Sequence, residues 1–142
     1  MKKLSPEISR RTFAKAVAGV AGTAALGRSI QAAQGPKKIR IGWIGTGDRG
    51  TADMRFCLDA DPNTELIAMA DVFPDRIERP LAMLKDRYKD RVKVTGDTTF
   101  LGFEAYKKVL EMPEVDLVFL TTPPHFRPVQ FRAAIEAGKH CF

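Results

Sequence analysis

Residues 45–50 read Gly-Thr-Gly-Asp-Arg-Gly, so Gly45, Gly47 and Gly50 stand in the pattern Gly-x-Gly-x-x-Gly, and an acid, Asp71, follows 21 residues after the last of them. Each residue type has a use in holding a dinucleotide. Gly45 permits a tight turn, Gly47 lets a pyrophosphate approach the backbone, and Gly50 lets a helix pack on a strand. A helix beginning in this loop would offer free N–H groups and the positive end of its dipole to phosphates. Asp71 is placed to accept hydrogen bonds from the ribose hydroxyls of an adenosine, and its charge would repel a 2′-phosphate, which favours NAD over NADP. Arg76 and Arg79 lie close enough in sequence to keep NADP open. Thr46, Asp48 and Arg49 share the loop and count among the candidate cofactor-binding residues: Thr46 is expected to present its backbone, and Arg49 either to add positive charge near the phosphates or to face solvent.

That chemistry requires a strand before the glycines and a second strand ending at Asp71. Both can be read from the residues. Ile39-Arg40-Ile41-Gly42-Trp43-Ile44 is a short, branched apolar run suited to a buried parallel strand, and Leu66-Ile67-Ala68-Met69-Ala70 is a second. Helical patterning spans Gly50 to about Leu58, and again Pro74 to Tyr88, where Pro80 is expected to kink or divide the helix. Val92-Lys93-Val94-Thr95 reads as the third strand. Tyr106, Val109 and Leu110 mark the next helix, Leu117 to Thr121 the fourth strand, and Pro128 to Ala137 a last helix with Gly138 as its stop. Strands and helices alternate throughout, which predicts an α/β fold: a Rossmann-type parallel sheet with helices on both faces.

The fourth strand delivers Thr122-Pro123-Pro124-His125 to the carboxyl end of the sheet, where ligands of open α/β sheets collect. These four residues are expected to edge the nicotinamide half of the site. His125 reads equally as a ligand contact or as a surface or capping histidine. Trp43, Tyr88, Tyr106 and His140 read as packing or surface residues, and no Ser/His/Asp set or metal cluster is recognisable. Cys57 and Cys141 are far apart in sequence and read as two buried thiols.

The formal charge is +6, yet residues 1–35 hold six bases against the single acid Glu7, and the rest is nearly neutral with 17 bases and 16 acids. A nucleic-acid binder keeps its basic patch in the folded part, so that class is set aside. Instead, Ser9-Arg10-Arg11-Thr12-Phe13-Ala14-Lys15 followed by the uncharged stretch from Ala16 to Gly27 is similar to a twin-arginine export signal; a basic amphipathic helix is the alternative. Those twelve residues are too few to span a bilayer as a helix, which takes about 20. The domain division read from the sequence is a signal segment and linker over 1–35 and an NAD(P)-binding domain over 36–142, with a periplasmic or otherwise extracytoplasmic location. Lys139-His140-Cys141-Phe142 reads as the start of a fifth strand without continuation, so the chain is expected to be the N-terminal piece of a longer protein.

Five segments in this order resemble the Gfo/Idh/MocA group, the glucose-fructose oxidoreductase and inositol dehydrogenase family. They are Gly45 to Gly50, Ala70 to Arg76, Val115 to Val118, Thr122 to His125, and Glu136 to His140. The resemblance implies an NAD(P)-holding Rossmann domain, a separate substrate domain that often forms an oligomer interface, and hydride transfer to or from a sugar, cyclitol or related polyol. It also implies a catalytic lysine in a Glu-Lys-Pro motif due beyond Phe142, so no catalytic residue is assigned and the fragment alone is expected to be inactive. Implied partners are a small sugar-like substrate, the twin-arginine machinery, and further copies of the full-length chain. Arg127 stands where many members carry a second histidine. Two other readings are open: a glycoside-cleaving enzyme that uses NAD for a transient oxidation, and a non-catalytic NAD-binding module.

Overall fold

A computed structural model describes residues 37–142. Residues 1–36, on which the expected export signal and linker fall, lie outside the described residues. Five strands form one parallel sheet in the order β3-β2-β1-β4-β5: β1 Ile39–Ile44, β2 Thr64–Asp71, β3 Thr99–Leu101, β4 Leu117–Leu120 and β5 His140–Cys141. Four helices connect them: α1 Asp48–Ala60, α2 Pro74–Tyr88, α3 Ala105–Glu111 and α4 Arg127–Glu136. The expected Rossmann-type α/β architecture is present. Because β2 lies on one side of β1 and β4 on the other, the winding reverses at the carboxyl end of β1, the place where such sheets open a crevice for ligand.

The sheet has an apolar layer on each face. Ile41, Trp43, Leu66, Met69 and Phe119 pack with Met54 and Leu58 of α1 and Ile77 and Leu84 of α2. Ile44, Ala68, Ala70, Val118 and Leu120 pack with Tyr106, Val109 and Leu110 of α3 and Ala134 of α4. Strand alternation would put Leu66 and Met69 on opposite faces, since they are three residues apart. The register between β1 and β2 slips there, with Ile41 opposite Leu66 and Gly42 opposite Ala68. Ile67 is the extra residue of this bulge, and the slip lets both larger side chains enter one layer.

Two expectations are corrected. Val92 to Thr95 is not a strand of the sheet: Val92 makes a single bridge to Leu66, and the chain passes through a turn at Gly96–Thr98 before pairing with β2 at Thr99–Leu101. Val92 and Val94 are buried against the first apolar layer, so their alternation served burial and not ladder pairing. Pro80 does not divide α2, which runs unbroken from Pro74 to Tyr88. The bond that Pro80 forfeits is at the Arg76 carbonyl, four residues earlier, and the hydroxyl of Thr46 takes it at 2.6 Å.

The end of α4 follows its expected signal. Gly138 has φ +68°, its N–H donates to the Ile135 carbonyl at 3.0 Å, and the Lys139 N–H donates to Ala134 at 2.9 Å, which together form a Schellman stop. Both cysteines are free thiols, each partly exposed, and burial pushes both thiols above their ordinary pKa. No helix of the described residues is long and apolar enough to cross a membrane.

Candidate functional site

The loop from β1 to α1 is shaped by steric exclusion. Gly45 has φ +88°, a conformation that side chains disfavour, and a Cβ there would lie 2.5 Å from the Thr122 nitrogen. At Gly50 a Cβ would lie 2.5 Å from the Gly45 carbonyl oxygen and 2.9 Å from the indole nitrogen of Trp43, so only hydrogen fits between α1 and β1. Gly47 differs, because a Cβ built there meets nothing within 4 Å except an Arg76 guanidinium nitrogen at 3.9 Å. Its α-carbon therefore faces open space, which a side chain would fill and a ligand can use. The first intrahelical bond of α1 is Thr51 N–H to the Gly47 carbonyl at 2.8 Å, so the amides of Asp48, Arg49 and Gly50 have no intrahelical acceptor.

Asp71, at the end of β2, is fastened by backbone. Its Oδ2 accepts the Thr46 N–H at 2.7 Å and its Oδ1 accepts the Phe73 N–H at 3.1 Å. An ionised carboxylate has about four acceptor positions, so each oxygen keeps one for a further donor. Thr46 is 1% exposed and does not line the cleft. Its amide and hydroxyl are both engaged by protein, and its part in the site is to hold Asp71.

Beneath the loop lies a network that the sequence did not reveal. The Trp43 indole N–H donates to Thr121 Oγ1 at 2.9 Å, and that hydroxyl donates to the Gly45 carbonyl at 2.6 Å. Trp43 is fully buried, so its one polar atom ties the glycine loop to the end of β4. Next in the chain, the Thr122 hydroxyl donates to Gln130 Oε1 at 2.5 Å, and the Arg127 Nε–H donates to the Thr122 carbonyl at 2.7 Å.

Together these elements enclose a cleft of about 690 Å³ at the carboxyl end of the sheet. Of the residues singled out in the sequence, Gly45, Gly47, Asp48, Arg49, Gly50, Asp71, Thr122 and Pro123 line it. Thr46, Pro124 and His125 do not. The His125 ring is exposed and stands edge-on to Phe126 at 5.4 Å, and it is Phe126 that enters the wall. Arg76, one of the two arginines that keep NADP open in the sequence, also lines the cleft, as do Phe73, Phe103 and Gln130, to which the sequence assigns no part in it. Phe73 and Phe103 are large exposed apolar side chains, 60% and 67% accessible; aromatic residues just past strand ends would have been the available signal. Arg49 turns along α1 to pair with Asp53 at 3.0 Å, whereas Arg76 pairs with Asp48 at 3.3 Å beside Gly47. Among the described residues no group of three or more His, Cys, Asp or Glu could hold a metal ion.

A dinucleotide fits this arrangement on two counts: the space at Gly47 that a Cβ would fill, and the unspent acceptor positions of Asp71. The site is that of an NAD-binding Rossmann domain. The model of the oxidoreductase family with an NAD-binding Rossmann fold, Gfo/Idh/MocA, matches residues 39–142, and the chain belongs to that family. Among curated relatives, a glycosyl hydrolase family 109 protein of Stenotrophomonas maltophilia is 30% identical over 131 residues, covering 92% of this chain and 28% of that protein. Among solved structures, apo scyllo-inositol dehydrogenase from Lactobacillus casei is 26% identical with a TM-score of 0.57, covering 75% of this chain and 28% of that one. A 3-ketoreductase from Actinomadura kijaniata, solved in complex with TDP-benzene and NADP, is 28% identical with a TM-score of 0.53, covering 74% of this chain and 29% of that one. The chain thus spans between a quarter and a third of the length of these proteins.

Proposed function

We propose that this chain is the cofactor-holding part of an exported oxidoreductase that transfers hydride to or from a sugar, cyclitol or similar polyol. The observation that carries the reading is Asp71, held by two backbone amides at the rim of a cleft whose floor is the glycine loop. In this reading the amides of α1 and the bare α-carbon of Gly47 receive the pyrophosphate. Asp71 orients the adenosine ribose, and Thr122, Pro123 and Phe126 wall the opposite half. Bound nicotinamide supplies the hydride acceptor or donor, and the rest of the redox reaction belongs to residues that orient a carbinol and remove its hydroxyl proton. Residues 1–35 act as the twin-arginine address, residues 36–142 as the NAD(P)-binding domain, and the location is extracytoplasmic. A homo-oligomer is expected for the full-length protein.

Glycosyl hydrolase family 109 relatives support a second reading, a glycoside-cleaving enzyme that leaves no net NADH. NAD titration of the chain, with Asp71→Ala alongside, tests the binding site: saturable binding weakened by the substitution is expected, and indifference to it would sink the ribose assignment. With the full-length protein, NADH accumulating with a polyol supports the oxidoreductase, while glycoside cleavage without NADH supports the alternative. Export is tested by replacing Arg10 and Arg11 with lysine, which should leave the protein in the cytoplasm.

A further inference from the structure

Pro80 lies inside α2, and its ring nitrogen has no hydrogen to give. The Arg76 carbonyl is the group that would have received it. A carbonyl left without its helical donor inside a packed protein normally costs free energy, and here the missing donor is supplied from another part of the chain. Thr46 Oγ1 stands 2.6 Å from the Arg76 oxygen and 3.3 Å from Asp71 Oδ2, so its single proton goes to the carbonyl. The amide of the same residue is on Asp71 at 2.7 Å. With Thr46 1% exposed, its hydroxyl makes this bond away from solvent. Three parts of the site meet at this residue: the glycine loop, the carboxylate at the end of β2, and the first turns of α2, which carry Arg76.

We propose that Thr46 and Pro80 act as one positioning unit, in which the proline reserves the Arg76 carbonyl for the threonine hydroxyl. The resulting clasp fixes the spacing between the loop, Asp71 and α2 at the adenosine end of the cleft. The proposal rests on the reading of that cleft as an NAD site. Neither residue lines the cleft, so both act through others. A hydroxyl that merely satisfied its own burial would not care whether residue 80 has an N–H. The clasp does, because an alanine at position 80 can donate to the Arg76 carbonyl itself.

The test compares five chains: the parent, Thr46→Ser, Thr46→Val, Pro80→Ala, and the Thr46→Val/Pro80→Ala pair, each followed by NAD titration and by thermal unfolding. Thr46→Val alone should weaken NAD binding on the order of tenfold, as expected for a lost buried bond, and Thr46→Ser should restore most of that affinity. In the Pro80→Ala background the same valine should cost no more than about threefold, a coupling that a double-mutant cycle reads directly. An equal loss in both backgrounds, or a serine variant as weak as the valine one, would overturn the proposal. If the parent chain does not bind NAD, the cofactor reading fails on its own. The clasp is then judged by unfolding, where a lowered Tm for Thr46→Val that Pro80→Ala repairs supports it and one that persists overturns it.

Discussion

Two aspartates sit at opposite ends of the same sheet and are held in opposite ways. Asp116, at the amino end just before β4, accepts the Arg40 N–H at 3.0 Å and the guanidinium Nε–H at 3.1 Å, with Lys37 at 3.6 Å. Asp71, at the carboxyl end, accepts two backbone amides, and among the described residues it joins no ion pair. Asp116 is therefore neutralised by cations, and the Arg40 bond holds its carboxyl below the ordinary pKa. Asp71 is fixed in place while its charge remains available. A carboxylate that braces a fold is matched with cations, whereas one that receives a ligand is held by groups that orient it and leave acceptor capacity free.

The largest break in this contrast should come from the loop that Asp71 steadies. Gly45→Ala forces a side chain into φ +88° and against the Thr122 nitrogen, and should cost about 3 kcal/mol or more in urea unfolding while abolishing NAD binding. Next, Asp71→Asn should weaken NAD binding on the order of tenfold or more, the value of a hydrogen bond to a charged group. Asp116→Asn should leave that affinity unchanged in the same calorimetric titration, and equal losses from the two would erase the distinction. Asp71→Ser should also narrow any preference for NAD over NADP, measured as the ratio of their dissociation constants. Smaller again, Thr121→Val strands the buried Trp43 N–H and should lower stability by about 1–2 kcal/mol in denaturant titration.

The smallest effect belongs to acid. Because the folded-state pKa of Asp116 is lowered, its contribution is complete above the ordinary Asp value of about 3.9 and is lost as pH falls through the lowered value. The stability difference between the parent chain and Asp116→Asn should be constant at neutral pH and shrink below about pH 4. For this partly exposed pair it should not exceed about 1 kcal/mol.

Most of this organisation is legible in the residues. β1, β2 and β4 are apolar runs bounded by Gly, Asp and Pro, and the spacing from Gly45 to Asp71 marks both ends of the site in the sequence itself. What escaped depended on partners distant in sequence. Val92 and Val94 have the alternation of a strand, but pairing with β2 was taken by Thr99–Leu101, and only the packed core shows which run wins. The sequence leads one to expect Thr46 to present its backbone within the loop; its amide is spent on Asp71, 25 residues on. His125 carries the more reactive side chain of its segment, yet the turn closed by the Phe126 N–H on the Pro123 carbonyl brings Phe126 into the wall. Trp43 reads in the sequence as a packing or surface residue; it is buried, and its hydrogen bond to Thr121 needs two strand ends to lie side by side.

That bond also gives the molecule an optical character. Trp43 is the sole tryptophan of the chain, so ultraviolet-excited emission from this fluorophore reports on one place, directly under the loop that faces the cleft. Reduced nicotinamide absorbs where indole emits. NADH in the cleft should therefore quench Trp43 by energy transfer and brighten its own emission, giving a label-free signal of occupancy.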